Sequence, residues 1–176
     1  HGLSYMVWRV TLKILFMFNL KYKKLKYFNI APWYLIERYN RKLAEGLTLI
    51  SLLLDAFITI PIKVLKLKLL KRLGFIILCE ECVLGGVIDY SYGCLYNYSE
   101  MRNPSVFTRF LINLLYSFYL NLKPDFVFYL FADIEDLKAR WRSRGYGEPR
   151  MSYVLYQIAS LEVLQRYESS PTLILN

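Results

Sequence analysis

Arg140, Arg142 and Arg144 stand at alternate positions in "LKARWRSRG", directly behind an apolar run, "DFVFYL", and an acidic turn, "ADIED". Guanidinium groups stay charged at any physiological pH and match phosphate oxygens two at a time, so clustered arginines suit a site where phosphates gather. Arg140 and Arg144 lie one helical turn apart and can face one ligand, whereas Arg142 points to another side of a helix. The same arginines can instead pair with Asp133, Glu135, Asp136 or Glu148 as ordinary surface charge.

Two further groups carry chemical potential. "CEEC", Cys79 to Cys82, has the spacing of a redox pair or of half a zinc site, but no second matched pair exists and the only histidine is His1. The expectation is therefore no metal, with Cys79, Cys82 and Cys94 as buried thiols in a reducing, cytoplasmic compartment. The net charge of +9 is unevenly placed: residues 1–72 hold 14 Lys/Arg against Glu37, Glu45 and Asp55, and residues 73–176 hold nine against 11 acids. The densest basic run, "KYKKLKY" at Lys21–Tyr27, suits a phosphate-bearing partner or a solvated face.

The elements that must position these residues can be read from periodicity. The chain is 176 residues with 56% hydrophobic and 17% aromatic content, enough for one domain with a core, 1–176, and too apolar for disorder. Leu3, Val7, Val10, Ile14 and Met17 are close to helical spacing, so residues 3–20 are predicted as an apolar helix. "APWYLIERYNRKLAEG" is predicted as a helix with Pro32 in its first turn. "FIILCE" and "DFVFYLFA" are predicted as short buried strands and "TLILN" as a last strand. Between them, Ser105 is an expected N-cap for an apolar helix over 105–122, Asp133 for the arginine-bearing helix, and "SYVLYQIASLEVLQRYES" is an amphipathic helix. Strands alternating with helices give an α/β class.

One segment carries a competing reading. Gly46–Ile62 is almost wholly apolar and near the length of a membrane span, and Lys63, Lys66, Lys68, Lys71 and Arg72 then alternate with leucines. Against a span stand Asp55 in its middle and Pro61, which is expected to end one helix before another starts. A buried helix followed by an amphipathic one is the first expectation, and a membrane seat, spanning or interfacial, the second.

Taken in order, "KPD", a buried strand, the Asp-x-Glu-Asp turn, Arg140-x-x-x-Arg144, a helix carrying Tyr156 and Gln157 and a final strand resemble the C-terminal half of the thymidylate kinase-like family of P-loop nucleoside monophosphate kinases. The resemblance implies a three-layer P-loop NTPase-like parallel sheet flanked by helices, incomplete at the N-terminus. It implies magnesium-dependent transfer of the ATP γ-phosphoryl group to a nucleoside monophosphate, with Mg2+ and ATP as cofactors and a nucleotide, not nucleic acid, as partner; a homodimer is also open. By resemblance Arg140 and Arg144 are lid arginines, Glu80 stands for the acid that orders magnesium, and Arg38, Arg41 and Arg142 are candidates for substrate binding. Two departures are plain: Glu81 sits where the family has arginine, and no G-x-x-x-x-G-K-[ST] occurs in the chain. Because the chain opens "HGLSYMVW" without an initiator Met, the expectation is either a P-loop upstream of His1 or a degenerate relative, a binding module of the same fold.

Overall fold

Helix-forming sequence dominates because apolar residues recur every three or four positions through most of the chain, and the computed structural model follows that period. It describes residues 3–18, 36–37, 40–79, 83–97, 105–122, 124–130, 132–143, 151–167 and 172–175. Helix α1 spans Leu3–Phe18, α2 Arg41–Leu54 and α3 Ile60–Arg72, the last two joined by π-helical turns over Asp55–Thr59. Helix α4 spans Leu84–Ser91 and runs into further π-helical turns, Tyr92–Asn97; α5 spans Val106–Leu122. Strand β1, Val127–Leu130, is followed by α6, Ile134–Ser143, α7, Met151–Tyr167, and β2, Thr172–Leu175.

These elements divide into two compact units, one holding α1 to α5 and the other β1 to β2. In the first, Leu52 of α2, Ala56 of the π turns and Ile60 and Val64 of α3 pack with Val83, Val87, Leu111, Ile112, Leu115 and Tyr119. Leu52 and Leu111 are fully buried, so truncating either to alanine removes packing worth about 2–5 kcal/mol. A smaller cluster joins Trp8 of α1, Ile36, and Ala44 and Leu47 of α2. In the second unit β1 and β2 pair in parallel, Val127 opposite Thr172 and Leu130 opposite Leu175. Parallel neighbours need a crossover connection, which α6 and α7 supply.

This corrects the expected three-layer P-loop NTPase-like fold. That architecture needs a parallel sheet of several strands with both faces covered; among the described residues there is one sheet, and it has two strands. The expected strand "FIILCE" is the clearest difference. Residues 75–79 have no regular structure, no described strand pairs with them, and Ile76 is 95% exposed. A short apolar run reads the same in a buried strand and in an exposed segment, and only a neighbouring ladder distinguishes them. "DFVFYLFA" does form β1, yet Phe126 and Phe128 at its start are exposed rather than buried.

Helix boundaries followed their chemistry more closely. The Ser105 hydroxyl accepts from the Thr108 amide at 3.0 Å and caps α5. Of the predicted helix around Pro32, Ile36 and Glu37 are helical, Pro32 itself lies outside the described residues, and a capped helix starts after Asn40, whose side chain accepts from the Leu43 amide at 3.0 Å. Pro61 does not separate two helices. The chain widens over Asp55–Thr59, the Ile60 amide reaches back to the Asp55 carbonyl, and Pro61 then sits in the first turn of α3, where a missing N–H costs least. The long helix therefore runs unbroken from Arg41 to Arg72, about 48 Å at 1.5 Å per residue. It stops at Gly74, whose φ of 81° closes the C-terminus as the Gly74 and Phe75 amides donate to the Lys71 and Leu70 carbonyls, each at 3.1 Å.

Candidate membrane-facing surface and the polar file behind it

The arginine comb lies in the second unit. Arg140 and Arg142 are exposed on α6, a helix none of whose residues is buried. Glu135, one of the turn acids, takes a 2.7 Å hydrogen bond from Lys138 and also feels Arg142; these cations hold its carboxyl below the usual range. Glu135, Lys138 and Arg142 of α6 thus serve one another, as surface helical pairs do. Arg41 lies in the first unit, exposed, with its Nε 3.3 Å from Glu45 Oε1 one turn along α2. Arg38, Glu80 and Arg144 lie outside the described residues, as do Cys82 and the basic run 21–27. On α7, Gln157 donates to the Tyr153 hydroxyl at 2.6 Å. Among the described residues no group of three or more His, Cys, Asp or Glu side chains converges. Cys79 is exposed, against the expectation of a buried thiol, because residues 75–79, expected as a buried strand that contains it, form none; Cys94 is half-buried, and desolvation pushes its thiol up to about 11.

The long helix carries a different arrangement. Among the described residues it is the one helix long and apolar enough to cross a membrane, and well under half of its apolar window is buried. Its buried side follows Ala44, Leu47, Thr48, Ser51, Leu52, Ala56, Ile60 and Val64. Its outward side follows Ile50, Phe57, Ile58, Ile62, Leu65, Leu69 and Leu73, all exposed, at helical spacing through the π turns. Helix α1 repeats this with Leu3, Met6, Val10, Ile14 and Met17 exposed in one row. A helix in water turns its apolar stripe inward and its polar residues outward. Between Gly46 and Ile62 the outer row is apolar and the polar residues are turned inward among Leu47, Leu52, Ala56 and Ile60, with Thr48 and Ser51 buried and Asp55 and Thr59 half-buried.

The inward polar residues form a file. Ser51, Asp55 and Thr59 recur every four residues, one above another on successive turns. Thr48 satisfies its hydroxyl by donating to the Ala44 carbonyl at 2.8 Å. Asp55 Oδ2 accepts from the Tyr90 hydroxyl of α4 at 2.6 Å, while Asp55 Oδ1, Ser51 Oγ and Thr59 Oγ1 are buried without a hydrogen-bond partner. Burial, then the charge of Asp55 and the bond to it, push the Tyr90 phenol far above its usual range; a hydrogen bond with Ser4 of α1 acts in the opposite direction. Tyr90 accordingly stays a neutral donor and ties α1, α4 and the long helix together beside the π turns. Sequence reading singled out Asp55 but missed Tyr90, Ser51 and Thr59; the four-residue recurrence of Ser, Asp and Thr inside an apolar run was the signal available.

No protein-family model matches the chain, and no curated protein or solved structure matches it significantly.

Proposed function

We propose that the α1–α5 unit is a membrane-associated helical module whose long helix lays its outer row, Ile50 to Leu73, against lipid acyl chains. The observation that carries this is the side on which Gly46–Ile62 puts its residues, with apolar Ile50, Phe57, Ile58 and Ile62 exposed outside and polar Thr48 and Ser51 buried inside among apolar neighbours. Lipid accepts an outward apolar row that water penalises, and it favours ionisable groups turned to the bundle interior and paired there, as Asp55 is with Tyr90. Asp55 is therefore no longer an argument against a membrane seat.

Phosphoryl transfer to a nucleotide drew its support from a strand–helix–helix–strand order that β1, α6, α7 and β2 keep, but the covered parallel sheet of several strands that it also implied is not there among the described residues. Flotation of the full chain with phosphatidylcholine vesicles, without detergent, tests the membrane reading. The wild type is expected to float with lipid, and Leu65→Asp on the outer row to lower the bound fraction about tenfold or more. Wild-type chain that stays monomeric in the aqueous fraction, with a Tm raised by magnesium ATP and thymidine monophosphate, would return the nucleotide reading in its place.

A further inference from the structure

We propose that α3 is an anionic-lipid contact, in which Lys66, Lys68 and Arg72 engage the phosphate groups of a negatively charged bilayer surface while the leucines between them enter it. The inference rests on the membrane reading above and names the lipid class at the same face. No acidic residue occurs from Ala56 to Cys79, whereas five cations fall between Lys63 and Arg72. At 100° per residue, exposed Lys66 borders one side of the exposed row Ile62, Leu65, Leu69 and Leu73, and exposed Lys68 and Arg72 border the other. Long basic side chains flanking an apolar row place their stems along the lipid surface and their charged ends among headgroups.

Two features beyond charge agree with this placement. The Gly74 turn ends the helix, and the segment that follows presents Phe75, Ile76 and Leu78 to the outside, Leu78 at 90% exposure. Apolar anchors next to a cationic helix end are what an anionic interface holds best, since each cation near such a surface adds to the apolar attraction. A solvated surface helix gains nothing from such anchors and is opposed by them.

The test compares flotation of the full chain on phosphatidylcholine vesicles and on vesicles mixed with phosphatidylglycerol. Wild type is expected to bind both and the anionic vesicles more tightly, with the difference shrinking at high salt. The triple variant Lys66→Gln, Lys68→Gln, Arg72→Gln is expected to keep its binding to phosphatidylcholine and lose the anionic preference, by about a hundredfold at low salt. The paired control Lys66→Arg, Lys68→Arg keeps the charge and is expected to keep the preference. An anionic preference that survives the triple variant, or none in the wild type while phosphatidylcholine binding persists, overturns the inference and leaves the membrane reading standing. Failure of the wild type to bind either vesicle overturns both.

Discussion

The Asp55 carboxylate has one oxygen held by Tyr90 and one held by nothing, and that asymmetry sets what single substitutions do. Tyr90→Phe leaves a carboxylate among apolar neighbours with neither oxygen bonded, so a loss of about 1–3 kcal/mol is expected in chemical unfolding of the detergent- or lipid-held chain. Ser51→Ala should act in the other direction. Its hydroxyl is buried, bonded to nothing, and sits inside α2, so alanine removes an unsatisfied group and adds about 0.5 kcal/mol of helix propensity. A destabilising Ser51→Ala would instead mean that ordered water or an ion fills the file. At this scale the sequence was partly legible. Asp55 stood out because an acid in an apolar run is costly, but its partner lies 35 residues away on another helix, and no local pattern announces such a pair.

Among the elements, the cap at Ser105 was legible and the breaks were not. Ser105 marks its helix because a short hydroxyl side chain can satisfy an orphan amide without any tertiary contact. Pro61 misled for a tertiary reason. A proline inside apolar helical sequence normally ends the helix, yet here the π turns absorb it and the core residues Ala56, Ile60 and Val64 hold both sides in line. "FIILCE" reads as a buried strand because apolar content ordinarily means burial, whereas in this chain apolar content also lies on the outside. The real terminator is Gly74, at a φ that other residues adopt only with strain. Gly74→Ala is expected to cost about 1 kcal/mol of unfolding free energy and to loosen the Phe75–Leu70 closure, read as faster amide exchange at Phe75.

Across the whole molecule, composition was legible and its meaning was not. Hydrophobic content of 56% can build a larger interior or an apolar exterior, and the alternation of apolar runs reads as a sheet covered by helices. The structure places much of that content on outward rows of α1 and the long helix instead. The arginine comb that suggested a phosphate lid resolves, in its described part, into Arg140 and Arg142 exposed on a short surface helix. Contact between lipid and the outer row of the long helix is read by nitroxide labels placed one at a time at 56, 58, 60, 62, 64, 65 and 69 in a cysteine-free chain bound to vesicles, from their collisions with oxygen and with a water-soluble nickel complex. Labels at 58, 62, 65 and 69 are expected to meet oxygen and not nickel, and labels at 56, 60 and 64 to meet neither. Free access of nickel to 62 and 65 would place that row in water and contradict the account.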